Sequence, residues 1–158
     1  MIPSNRAFNG NLFFEYEGKT FYRWYNVQKK GHYFIKIKIK SSNSPNLQGI
    51  ALFFQNFKGS LKLNGEAIEV LDGFKHYVFK DGYFSDNQFV LEIFADDGAL
   101  YFSNASQEHN TFHCGAFCCA FWIEEISDNH LRFHCNDHEA DDDFDDLIFD
   151  MIITEDIF

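Results

Sequence analysis

Residues 32–40 read His32-Tyr33-Phe34-Ile35-Lys36-Ile37-Lys38-Ile39-Lys40. Tyr33, Ile35, Ile37 and Ile39 alternate with Phe34, Lys36, Lys38 and Lys40. Successive side chains on a strand point to opposite faces, so this is a half-buried strand with a basic outer face. The period of two continues in both directions. Strands are expected over Leu12–Glu17, Phe21–Val27, Gly49–Asn56, Ser60–Leu63, Glu66–Leu71 and His76–Phe79. Others follow over Gln88–Ala95, Ala99–Ser103, Ala116–Ile126, His130–Cys135 and Leu147–Thr154. Asn64-Gly65 is a strong two-residue hairpin signal, because both turn positions need positive φ. Asp97-Gly98 gives a second such signal, and Glu17-Gly18-Lys19 and Asp81-Gly82 give softer turns. No segment carries the helical period, and parallel strands need crossover helices. The pattern predicts one domain over residues 1–158, all-β, built as an antiparallel β-sandwich or barrel.

Composition narrows the function. A chain of 158 residues, 46% of them hydrophobic, is long enough for one real core. Its 21 Phe exclude disorder, which requires a shortage of large apolar residues. No apolar run reaches the roughly 18 residues of a membrane-spanning helix. The net charge of −11 argues against nucleic acid, whose affinity comes mainly from Lys and Arg on phosphates. The charge is local. Residues 1–132 hold all 13 basic residues against 14 acidic ones, while residues 133–158 hold 10 acids and no Lys or Arg.

Most of that excess lies in Asn136-Asp137-His138-Glu139-Ala140-Asp141-Asp142-Asp143-Phe144-Asp145-Asp146, directly before the last strand. Calcium takes about six to eight oxygen ligands. Asp141, Asp143 and Asp145 have the alternate spacing that lets one curling loop supply several carboxylates, with Asp137, Asp142 and Asp146 available to complete a shell. Crowded carboxylates raise one another's pKa unless a cation sits among them. The rival reading is a solvated acidic loop that keeps the adjoining strand from edge pairing. The loop is not an EF-hand, since it lacks the sixth-position Gly, the twelfth-position Glu and the flanking helices.

Asn136-Asp137 after a strand, then acids, then an alternating final strand resembles the C-terminal calcium loop of small bacterial calcium-dependent galactose-binding lectins. Cys114-Gly-Ala-Phe-Cys118-Cys-Ala-Phe is similar to a stretch preceding that loop in such lectins. Asp143-Phe-Asp-Asp-Leu-Ile-Phe resembles the D-x-D-x-x-D-L signature of extracellular bacterial modules thought to bind calcium. Gly59-Ser-Leu-Lys-Leu-Asn-Gly and Phe89-Val-Leu-Glu-Ile-Phe-Ala are similar to strands of galactose-binding-like sandwiches. The resemblance implies a jelly-roll-like β-sandwich that binds Ca2+ and a carbohydrate ligand without catalysis. Asn136, His138 and Glu139 are then candidate ligand-binding residues. The lectin loop carries Asn and Gly where this one has Asp and Phe, and the N-terminal third has no counterpart.

Other constellations compete. His109-Asn-Thr-Phe-His113-Cys114 and His130-Leu-Arg-Phe-His134-Cys135 share H-x-x-F-H-C. These residues make zinc a minor alternative to calcium, but histidines four apart on a strand lie about 13 Å apart. A thiol enzyme would need a Cys activated by a neighbouring His, and strand neighbours point apart. Cys114, Cys118, Cys119 and Cys135 are expected to be mostly reduced and buried, which favours the cytoplasm; the first residues show no secretory pattern. Trp24, in Phe21-Tyr22-Arg23-Trp24-Tyr25, is either a sugar-stacking platform or core, and Trp122 is read as core. The function expected is a calcium-binding, carbohydrate-binding module. A structural or protein-interaction module whose calcium only orders the loop is the alternative, and a metal-dependent hydrolase is third. Lys-rich edges oppose open-ended aggregation but leave room for a homo-oligomer.

Overall fold

The computed structural model describes residues 13–16, 18–70, 76–109, 111–114, 120–136 and 144–156. The chain is all-β and antiparallel, as the period of two requires. Its strands are β1 (Phe13–Tyr16), β2 (Lys19–Tyr22), β3 (Tyr25–Val27), β4 (Gly31–Ser42), β5 (Gln48–Leu63) and β6 (Glu66–Ile68). They continue as β7 (His76–Lys80), β8 (Gln88–Glu108), β9 (Thr111–Cys114), β10 (Phe121–Ser127), β11 (His130–Cys135) and β12 (Leu147–Thr154). One 3-10 turn, Ser85–Asn87, precedes β8. The strands form one continuous sheet in the order β1-β2-β10-β11-β12-β4-β8-β5-β6. In addition, β3 and β9 pair with β8, and β7 pairs with β5.

The two longest strands, β5 and β8, organise the rest. Their ladder runs from Gln48↔Ser106 to Gln55↔Ala99, then resumes from Gly59↔Ala95 to Leu63↔Leu91. Between these stretches the register shifts at Lys58. The large buried side chains change parity across the shift. In β8 they are Phe89, Leu91 and Ile93 before it, and Leu100 and Phe102 after it. In β5 they are Ile50, Leu52 and Phe54 before it, Phe57 within it and Leu61 after it. A bulge bends a strand and resets which face its side chains take. Both strands bend together, so the halves of the sheet close over one apolar cluster. Tyr25 on β3 meets Phe133 on β11 edge-on with centroids 5.5 Å apart, and Phe79 on β7 meets Phe89 on β8 at 4.5 Å. Inside this cluster, burial pushes the Tyr33 phenol up to about 12.

Three sequence expectations change. Gly49–Asn56 and Ser60–Leu63 are one strand, and so are Gln88–Ala95 and Ala99–Ser103. Asp97-Gly98 is therefore not a hairpin turn but the bend within β8. A two-residue positive-φ signal marks a turn or a bulge alike, and here pairing continues on both sides. Phe21–Val27 divides into β2 and β3, which pair with different neighbours. Asn64-Gly65 does close the hairpin between β5 and β6, with Leu63 opposite Glu66.

The bend has no room for a methyl group. At Gly98 (φ +86°) a Cβ would lie 2.3 Å from the Asn56 carbonyl oxygen. At Gly59 (φ +151°) it would lie 1.9 Å from that of Phe94. Gly98→Ala and Gly59→Ala are each expected to cost about 3 kcal/mol or more in urea unfolding, because strain adds to a backbone clash. Gly65→Ala, with open space around the added methyl, should cost only about 1 kcal/mol.

Candidate functional site

The acidic loop leaves the sheet between β11 and β12, and its neck is well defined. Asn136 is fully buried. Its backbone N–H donates to the Ala120 carbonyl at 2.8 Å, and its Oδ1 accepts from the Phe144 N–H at 3.2 Å. Its carbonyl accepts from the Asn104 side-chain amide. Phe144 has left-handed backbone (φ +52°) and packs its ring 4.8 Å from Phe21. The Asp146 carbonyl accepts from the Asn43 N–H at 3.1 Å. A side-chain amide thus ties position 136 to position 144 and closes the neck.

The polar side chains there are buried. Asp146 is 3% exposed, and Gln48, Asn104 and Ser106 are fully covered. Asn104 and Ser106 sit on β8, with Gln48 opposite Ser106 on β5. Asn104 Oδ1 and Gln48 Oε1 have no hydrogen-bond partner among the described residues. A buried acceptor without a donor is costly and asks for a water or an ion. Of the predicted metal ligands, Asp145 and Asp146 stand at this neck, Asp145 half-buried. Asp137, Asp141, Asp142 and Asp143 lie outside the described residues, as do His138 and Glu139. Among the described residues no group of three or more His, Cys, Asp or Glu is placed to hold a metal. Asn104 was not anticipated. It is a polar position in β8 sixteen residues beyond the strand's start, and no local motif connects it to the loop.

A second polar cluster lies on the outer face of β10, β11 and β12. The run His130-Leu-Arg132-Phe-His134 places His130, Arg132 and His134 on one face, with Asp150 opposite Arg132. Arg132 clasps Asp150 through Nε at 2.7 Å and Nη2 at 3.1 Å, and His130 Nε2 lies 2.8 Å from the same carboxylate. Burial alone would push the Asp150 carboxyl up; hydrogen bonds from Arg132 and His130, and their charges, hold it below the ordinary carboxylate range. His134 lies 3.0 Å from Glu124 and stacks on Trp122, with centroids 4.1 Å apart. Lys19 Nζ sits 4.0 Å from the Trp122 ring centroid. Trp122 is therefore not in the main core, as expected from sequence, but is held on the outer face. A strand run of Phe-Trp-Ile says only that neighbours face opposite ways, not which of them goes inside.

This cluster is built for stability. The oriented His130 resembles a general base, but Asp150 is shared with Arg132, and the Ser127 hydroxyl beside it is committed to Asn129 at 3.1 Å. Cys135 is buried in the core, and the side chains of the other cysteines lie outside the described set. Trp24 is half-buried, edge-to-face with Phe53 at 4.5 Å. The chain matches no family model, no curated protein and no solved structure.

The Asp150 network predicts acid sensitivity. Its native pKa is depressed, so its stabilisation is fully present above about pH 4 and is lost as pH falls through the lower native value. Asp150→Asn should flatten that part of the stability–pH curve measured by chemical unfolding. Arg132→Leu at pH 7 should cost about 3 kcal/mol by leaving a poorly paired buried carboxylate. The Arg132→Leu, Asp150→Leu double variant should recover part of that loss.

Proposed function

We propose that the chain is a non-catalytic, calcium-binding module that recognises carbohydrate. The observation that carries the cation reading is the loop neck. Asp146 is buried there beside a hydrogen-bonded Asn136, and the Asn104 Oδ1 acceptor has no donor among the described residues. A hard cation is satisfied by such oxygens, and Asp137 and Asp141 to Asp143, in the same stretch of sequence, would balance its charge. In this reading the fold supplies a rigid base of Asn104, Asp145 and Asp146. The acidic loop supplies the remaining carboxylates. The carbohydrate reading draws on the resemblance to calcium-dependent lectins and is the step furthest from the geometry.

One observation favours the structural alternative, in which calcium only orders the loop. A cation seated as deep as Asp146 and Asn104 has little of its shell open to sugar hydroxyls. Direct coordination of sugar by the metal would need ligands higher in the loop.

Calcium added to chelator-stripped protein should raise the melting temperature, since a ligand that binds only the native state stabilises it by mass action. At a hundredfold excess over Kd the gain is about 2.7 kcal/mol. The Asp141→Asn, Asp143→Asn, Asp145→Asn triple variant should lose this shift. An unchanged shift in the variant would place the metal elsewhere, and a shift with zinc alone would favour the nitrogen- and sulfur-ligated alternative.

A further inference from the structure

Along β10, from its junction with β2 beside the loop neck toward the far ends of β11 and β12, the sheet opens. β2 joins β10 through a single pair, Tyr22 opposite Phe121, and then diverges from it. After Arg23 and Trp24 the chain enters β3, where Tyr25 pairs with Phe102 of β8. The gap left between β2, β3 and β10 is a cavity of about 520 Å³. A second cavity of about 510 Å³ lies beside it, toward the ends of β10 and β12. The two share Tyr25, Glu125 and Leu131, so they form one groove across the mouth of the core. Each is of a size that holds a small ligand.

The lining is mixed in a specific way. Tyr22, Tyr25, Ile123, Leu131 and Ile153 provide rings and apolar patches. Glu125 and Asp128 provide carboxylates that make no ion pair among the described residues, and Asn129 adds an amide. Lys29 is paired with Glu155 at 3.0 Å and Lys19 keeps its charge over the Trp122 ring, so the lining carries two cations against Glu125, Asp128 and Glu155. Burial first, then Tyr22 and Glu125, push the Tyr25 phenol above its ordinary value, so it stays a neutral donor beside a carboxylate.

These features select a ligand class. The lining's net negative charge, with Glu125 and Asp128 outside any ion pair among the described residues, disfavours phosphates, sulfates and uronic acids. Acceptors interleaved with tyrosine rings suit a molecule that carries many hydroxyl donors and apolar ring faces. Strand addition by a peptide is disfavoured, because β10 is bulged between Glu125 and Ser127 and carries Glu124 and Glu125, two devices that block edge pairing.

We infer that this groove binds a neutral oligosaccharide, and that it, rather than the acidic loop, is where the chain contacts sugar. The inference rests on the carbohydrate-binding reading above. The centre of the groove, Glu125 and Leu131, lies four residues along β10 and β11 from Phe121 and Cys135 beside the loop neck, roughly 13 Å. Its lining includes none of Asn104, Asn136, Asp145 and Asp146, so sugar binding there is expected to need no calcium.

The test screens the full chain against an array of neutral and anionic oligosaccharides, with calcium and with chelator. The best neutral binder is then titrated calorimetrically into the wild type, Glu125→Gln and Tyr25→Phe. Neutral glycans should bind in chelator, and both variants should weaken binding at least tenfold with the melting temperature unchanged. Calcium-dependent binding that both variants retain would overturn the groove and keep the carbohydrate reading, with sugar at the loop. Binding of anionic glycans alone would overturn the ligand class argued here. Failure to bind any glycan in either condition would overturn both the groove and the carbohydrate reading.

Discussion

The close crossing of β5 and β8 is the constraint on which the rest depends. The strands pair on both sides of a shared bend, and at the bend the backbones of Asn56–Gly59 and Phe94–Gly98 touch. Without glycine at 59 and 98 the two halves of the ladder could not share the same pair of strands. Because they do, one continuous sheet covers both sides of the core, and no linker has to hold separate sheets together. The remaining strands add to this ribbon. β4, β12, β11 and β10 extend one half, and β3, β7 and β9 extend the other.

That arrangement creates two polar ends on an apolar body. β11 and β12 run between them. At one end the chain leaves into the acidic loop over a buried base of Asn104, Asn136 and Asp146. Toward the other, the gap that β2 and β3 leave beside β10 exposes the edges of the core and ends at Glu125 and Asp128. Between the ends, Arg132 and Asp150 lock β11 to β12 on the outer face. A salt bridge with a buried carboxylate is costly to break and so fixes the relation of the two strands.

Much of the fold was legible in sequence. Tyr33 to Lys40, His130 to Cys135 and Leu147 to Thr154 follow a period of two and all three are strands, and Tyr33, Ile35, Ile37 and Ile39 face inward as their alternation predicts. Asn64-Gly65 marked a true hairpin. What misled was local ambiguity. Asp97-Gly98 carries the same signal as a hairpin, and only the long-range pairing of β5 with β8 makes it a bend. The candidate site was legible in part. The density of Asp pointed to a loop before the last strand, and Asp145 and Asp146 stand at its neck. Asn104 was invisible, because it reaches the neck from a strand more than thirty residues away. The groove was invisible too, since it arises from the failure of β2 to continue along β10, a tertiary event with no periodicity.

The central claim is that the two ends of β11 and β12 serve separate ligands. Amide NMR of the full chain, titrated first with Ca2+ and then with a neutral oligosaccharide, tests it most directly. The account predicts that calcium shifts Asn43, Asn104, Asn136, Phe144 and Asp146 and leaves Tyr25, Glu125 and Leu131 in place, and that the sugar does the reverse. Sugar-induced shifts confined to the loop neck, and seen only with calcium bound, would contradict it.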